Sequence, residues 1–207
     1  MQVNIDTFCI GIYETNCYLL SDKNHAVLID AGNELEGIFK KLKENNLILE
    51  WLINTHGHID HIGGNDRVRK ETGAGLLIHS DDEKMLYDPF LNLSGYFSGY
   101  FTFDKPTRVL ENDEIINIGS INLKVIHTPG HTPGSISLFL EPDIIFSGDT
   151  IFSNGIGRTD FPYGDYENLI TSIKKLCSFP EKTKFYPGHG EQTTVYGVES
   201  WLKLQNL

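Results

Sequence analysis

Six consecutive residues, His56, Gly57, His58, Ile59, Asp60 and His61, place three imidazoles and a carboxylate in one short loop. Buried singly, each of these side chains would need its own hydrogen-bonding partner. Together they suit a pair of divalent cations held side by side. In an extended segment residues i and i+2 point the same way, so His56 and His58 reach for one ion while Asp60 and His61 turn toward a second. Three further segments offer the remaining ligands: His131 in Thr128-Pro129-Gly130-His131-Thr132-Pro133-Gly134, Asp149 in Ser147-Gly148-Asp149-Thr150, and His189 in Tyr186-Pro187-Gly188-His189-Gly190. Each follows an apolar run and sits in a turn of small residues, where the backbone can aim one polar side chain into a shared mouth. Asp149, with two oxygens, is the natural bridge between the cations. Such a pair lowers the pKa of bound water to about 7, which implies hydrolysis by a hydroxide held between the metals. Asp60 or Asp149 would orient that nucleophile and take its proton.

These segments, in this order, resemble the metallo-beta-lactamase fold superfamily, and within it the short glyoxalase II-like hydrolases of bacteria. The likeness runs from Leu28-Ile29-Asp30-Ala31-Gly32 to the Trp201–Leu207 stretch. It implies that His56, His58 and His131 hold one metal, that Asp60, His61 and His189 hold the other, and that Asp149 bridges them. It further implies that Asp30 steadies a metal-bound imidazole through the nitrogen facing away from the ion. The expected cofactors are two divalent ions, zinc foremost, with iron or manganese also compatible with His and Asp ligands. The expected substrate is a small acyl thioester, whose thiolate leaves without a dedicated general acid. A persulfide dioxygenase using a single iron at His56, His131 and Asp149 is the rival within the superfamily, and an ester or lactone hydrolase is a further alternative. Asp149 argues against beta-lactamase activity, and His58 against the flavodiiron proteins, which carry glutamate there. Glyoxalase II proper has an additional helical domain for glutathione, for which a single domain over residues 1–207 leaves no room.

The elements that must position these groups follow from hydrophobic periodicity. Strands are predicted over Val3–Ile10, Asn16–Ser21 and Ala26–Asp30, then a helix in which Leu35, Ile38, Phe39 and Leu42 share a face. The strand Trp51–Asn54 leads into the metal loop, and a helix over Asn65–Glu71 and the strand Leu76–Ile78 follow. The second half repeats the alternation with strands Ile121–Ile126, Ile136–Leu140 and Ile144–Phe146, a helix with Tyr166, Leu169, Ile170, Ile173 and Leu176 on one face, and the strand Lys184–Tyr186. Periodicity alone supports a mixed α/β chain. The resemblance sharpens this to a four-layer αββα sandwich with the metal loops at one edge.

Composition sets the remaining bounds. A chain of 207 residues with 40% hydrophobic content can bury one sizeable core. A formal charge of −11 with scattered Lys and Arg opposes nucleic-acid binding. Cys9, Cys17 and Cys177 form no CxxC pair and read as small buried hydrophobes in a reducing cytoplasm. No segment reads as a secretory signal or a membrane span. Among the other histidines, His127 closes an apolar strand, His79 ends another and His25 sits in a polar turn, so all three are expected away from metal. The segment Pro89–Phe103 carries Phe90, Tyr96, Phe97, Tyr100, Phe101 and Phe103 without a clear period, and is expected to wall the substrate site, with Tyr96 and Phe97 as contacts. Arg158 is expected to brace its loop through Asp160 or to meet an anionic substrate group.

Overall fold

The computed structural model describes residues 3–97 and 99–205. Six strands, β1 (Asn4–Ile10), β2 (Thr15–Asp22), β3 (His25–Ile29), β4 (Ile48–Ile53), β5 (Gly75–His79) and β6 (Arg108–Leu110), lie in that order in the first sheet. The second sheet runs β7 (Ile115–Ile118), β8 (Ile121–His127), β9 (Ile136–Leu140), β10 (Ile144–Gly148), β13 (Lys184–Pro187) and β14 (Thr193–Thr194), with the hairpin β11 (Ile151–Phe152) and β12 (Gly155–Ile156) beside it. Helices α1 (Glu36–Glu44) and α3 (Asn65–Thr72) flank the first sheet, and α5 (Tyr166–Cys177) and α6 (Val195–Gln205) the second. The single turns α2 (Ile59–Ile62) and α4 (Ser94–Phe97) lie in loops.

Strand alternation explains the layers. On β3, Ala26 and Leu28 face α1 and α3, with Leu35, Ile38 and Val68, while Val27 and Ile29 face the other sheet. On β10, Ile145 meets Leu169, Ile173 and Phe185 on the helix side, while Phe146 turns inward. Three apolar layers result, and the four-layer αββα order is that of the sequence-based expectation. Inside the central layer Phe146 lies 5.1 Å from the Tyr18 ring and 5.2 Å from that of Tyr186, centroid to centroid.

The chain path gathers loops at one edge. β3 and β4 pair in parallel, as do β10 and β13, and β8 runs antiparallel to β9, which runs antiparallel to β10. The carboxyl ends of β3 and β4, and those of β8, β10 and β13, therefore emerge together in each sheet. Asp30, the metal loop, His131, Asp149 and His189 all follow those ends.

Several elements were not anticipated: β6, β7, the β11–β12 hairpin, α6, and the 3-10 turn Ser80–Leu86 that follows β5. Cys17 is buried and Cys177 half-buried, whereas Cys9 is exposed. Its neighbours Phe8 and Ile10 on edge strand β1 take the helix-side core, which turns Cys9 to the open face. Among the described residues no helix is long and apolar enough to cross a membrane. Because Phe146 is fully buried between the sheets, Phe146→Ala is expected to cost about 3–5 kcal/mol. The denaturant midpoint checks this, with the exposed Ile115→Ala as the control, expected within about 0.5 kcal/mol of the parent.

Candidate metal centre

The seven residues expected to hold metal converge. One ligand atom from each of His56, His58 and His131 lies within 4.8 Å of the others, and the same holds for Asp60, His61 and His189, and for His56, His61 and Asp149. Asp149 adjoins both sides: its Oδ2 stands 3.6 Å from His131 Nε2 and 3.5 Å from His189 Nε2, and its Oδ1 3.5 Å from His61 Nε2. All three histidines of the metal loop are buried, as is His131.

What aims four of these five imidazoles is the oxygen each finds on its far side, while buried His58 Nε2 has no partner. His61 Nδ1 lies 2.9 Å from Asp30 Oδ2, His131 Nδ1 donates to the Arg158 carbonyl at 2.8 Å, His189 Nδ1 donates to the Tyr13 carbonyl at 2.9 Å, and His56 Nδ1 lies 3.2 Å from the Thr55 hydroxyl. A ring whose Nδ1–H is given to an oxygen presents its Nε2 lone pair inward, which is the arrangement metal ligation needs. His58 uses the other nitrogen, its Nδ1 standing 2.9 Å from His131 Nε2. Buried His56 Nε2 and Asp149 Oδ1 have no hydrogen-bonding partner. Orphaned buried acceptors of this kind are costly unless something charged meets them, so the donor set fits a pair of divalent cations.

The electrostatics agree. Burial, together with the neighbouring imidazoles, holds His56 and His58 well below the usual histidine range, and burial lowers His131 as well. Burial opposes charge on His61 too, yet Asp60, Asp149 and Asp30 push it up to about 9. His189 rises to about 11, against burial, through Asp149 and Asp60. Burial would raise Asp149, but His61, His189 and His131 hold it down to about 2. One half of the cluster is therefore rich in neutral imidazole and the other in carboxylate.

Loop backbones are fixed by Asp30, expected from the sequence, and by Asn16, Asn54, Asn65 and Thr15, which carried no signal there. Asp30 sits at φ 59°, a conformation aspartate tolerates better than most residues, and from there accepts from the Thr55 N–H and hydroxyl, both at 2.8 Å. Asn54 and Asn65 exchange hydrogen bonds at 3.2 and 2.7 Å beneath the metal loop. Asn16 Nδ2 donates to the carbonyls of Pro187 and Gly190, and the Tyr18 hydroxyl to that of Pro187 at 2.6 Å, which pins His189 from β2. Thr15 Oγ1 donates to Asp60 Oδ2 at 3.1 Å.

The cluster opens into a cavity of about 460 Å³ whose walls include Tyr13, Leu93, Phe97, Phe152, Ile156, Arg158 and Phe161. Of the two expected aromatic contacts only Phe97 reaches it. Tyr96 packs instead beside Phe90 and Phe97, its ring centroid 5.5 and 6.3 Å from theirs, and does not line the cavity. The reason is that the segment is anchored by buried Asn92, which donates to the Met85 and Phe101 carbonyls and leaves most of the aromatics facing outward. Arg158 forms two hydrogen bonds to Asp160, at 2.7 and 2.6 Å, and lies 3.9 Å above the Phe161 ring. His127 stacks on His79 at 4.1 Å and reaches the Pro133 carbonyl, and His25 pairs with Glu50. None of these three histidines joins the seven.

Comparison with known proteins agrees with this geometry. Residues 10–189 match the metallo-beta-lactamase superfamily. The hydroxyacylglutathione hydrolase GloC of Haemophilus influenzae is 36% identical over 200 residues, covering 93% of each chain. Among solved structures, BLEG-1 B3 metallo-beta-lactamase superposes with a TM-score of 0.88 at 35% identity, over 94% of this chain and 95% of that one. TTHA1623 in a di-iron-bound form gives 0.84 at 31%, over 94% and 96%. The chain belongs to the metallo-beta-lactamase superfamily and is a metallohydrolase of that family.

Proposed function

We propose that this chain hydrolyses acyl thioesters at a pair of divalent cations, one held by His56, His58 and His131, the other by Asp60, His61 and His189, with Asp149 between them. The observation that carries the reading is the inward convergence of seven ligand side chains at the floor of an aromatic-walled cavity. Zinc, iron and manganese all suit the donor set, and the di-iron form of TTHA1623 belongs to a relative with the same architecture. The chemistry a bound cation pair supplies is a water acidic enough to attack near neutral pH and an electrophile for the acyl oxygen.

The chain's own residues do the rest. Asp60 and Asp149 are the two carboxylates lining the cavity, and Asp149 Oδ1 accepts no hydrogen bond from the protein, so these groups orient the attacking water and accept its proton. Tyr13, Phe97, Phe152 and Phe161 exclude solvent around the scissile bond and hold its apolar flank. Arg158 stays paired to Asp160 at the rim. Outside the seven, only the Tyr13 hydroxyl and the Arg158 guanidinium among the lining side chains carry a titratable proton. A leaving group that needs no proton is therefore favoured, and a thiolate, with a thiol pKa of about 8.5, is such a group. The relation to the hydroxyacylglutathione hydrolase GloC supports the same substrate class.

Purified protein is expected to contain two metal ions per chain and to release thiol from S-lactoylglutathione or simpler acyl thioesters. One iron with oxygen uptake on glutathione persulfide and no thioester turnover would instead establish the dioxygenase. Asp149→Ala is expected to lower turnover by more than about 100-fold and to lose a metal equivalent by elemental analysis, whereas His127→Ala should keep both ions. Gly188→Ala tests the same centre without replacing a candidate ligand. A Cβ there would stand 2.1 Å from Asp149 Oδ1 and 2.7 Å from His61 Cε1, so metal content and turnover should fall together while the melting temperature stays within a few degrees.

A further inference from the structure

Asp82 lies in the 3-10 turn Ser80–Leu86 and is fully buried. Its Oδ2 accepts from the Gly57 N–H at 3.0 Å and from the Thr132 hydroxyl at 2.6 Å, and its Oδ1 accepts from the Gly134 N–H at 2.6 Å. Gly57 separates His56 from His58, and Thr132 follows His131. One carboxylate thus ties together the two loops that carry the imidazole-rich half of the centre. The fit is close, since a Cβ on Gly134 would stand 2.8 Å from the Asp82 carboxyl carbon.

The charge of this group is the unusual part. Two partners are backbone N–H donors, and the third, the Thr132 hydroxyl, can donate to Asp82 while standing 2.7 Å from the Ser135 hydroxyl, an arrangement that suits a carboxylate. Burial pushes the carboxyl up to about 6, and the Thr132, Gly134 and Gly57 donors oppose that rise. Among the described residues no lysine, arginine or histidine forms an ion pair with it, and the neighbouring Asp81 pushes the carboxyl further up. A buried anion without a cation is costly. Asp30, on the other side of the centre, has His61; Asp82 has none.

We infer that Asp82 is a positioning residue for the cation held by His56, His58 and His131, fixing the separation of the two loops and supplying negative charge where that half of the site is otherwise built from neutral imidazoles. The inference rests on the metal-pair reading above. It gives the two halves of the centre one outer carboxylate each, Asp30 on His61 and Asp82 between the loops that carry the other three rings.

Asp82→Asn preserves the shape of the side chain but turns an amide NH₂ toward at least one N–H or O–H. Zinc titration followed by imidazole ¹⁵N NMR reads the two halves separately. The variant is expected to bind zinc about 10–100-fold more weakly at His56, His58 and His131, with less than about threefold change at His61 and His189. Thr132→Val keeps the carboxylate and removes one donor, and should weaken the same three imidazoles by a smaller factor. It decides the matter alone if Asp82→Asn does not fold. Parent-like titration of both variants would overturn the inference while leaving the metal pair intact, and so would an equal loss in both halves. A parent chain whose five imidazoles do not respond to zinc would overturn the metal-pair reading and this inference with it.

Discussion

Five imidazoles, four of them buried, crowd against two carboxylates at the floor of a cavity, and the fold is arranged around making that crowding tolerable. An imidazole is useful to a metal only when one nitrogen is committed elsewhere, because a ring free to rotate or to change tautomer presents a proton as often as a lone pair. In this chain the commitments are specific: a carboxylate for His61, a carbonyl for His131, another for His189 and a hydroxyl neighbour for His56. Two of the four are backbone carbonyls, so ring orientation is inherited from loop conformation.

That inheritance explains the demands on the two sheets. Loops held at the carboxyl ends of β3, β4, β8, β10 and β13 have to agree to within fractions of an ångström across the central apolar layer. The ties between them are polar and long-range. Asn16 on β2 grips the Pro187–Gly190 loop of the other sheet, Thr55 carries Asp30, and the Ile136 N–H donates to the Thr55 carbonyl across the sandwich. Apolar packing brings the sheets together without fixing them along their length; these hydrogen bonds set the final alignment.

The same contrast decides what could be read from the chain. The candidate metal ligands were legible because four of them sit within six residues and the others in short turns of small residues after apolar runs, a local signal. The long amphipathic helices α1 and α5 and the apolar strands were legible by periodicity. Strands β6 and β7 were not, being three and four residues long, too short to establish a period. Helix α6 was missed because Gly197 and two large aromatics, Tyr196 and Trp201, blur its apolar face. Asn16, Asn54, Asn65, Asn92 and Asp82 read as ordinary polar residues, since the partners that join them to other segments lie 7 to 174 positions away. The aromatic segment misled in the opposite way: its composition suggested a wall, but its course is set by Asn92, and among its rings only Phe97 turns inward to line the cavity.

Charge balance links these observations. Four carboxylates, those of Asp30, Asp60, Asp82 and Asp149, stand in or against the cluster, and all but Asp60 are fully or nearly fully withdrawn from solvent. A pair of divalent cations with five neutral imidazoles matches four negative charges. In the protein alone, Asp60 and Asp149 find a substitute in His61 and His189, whose imidazoles they push up to about 9 and 11 against the opposing effect of burial. No such substitute faces Asp82, because His56, His58 and His131 are held toward neutrality by burial and by one another. The carboxylate-rich half thus sets its anions against His61 and His189, whereas the imidazole-rich half holds its lone anion with backbone and hydroxyl donors. That asymmetry makes the two halves inequivalent before any ligand arrives, and it follows from which loop each carboxylate was placed on.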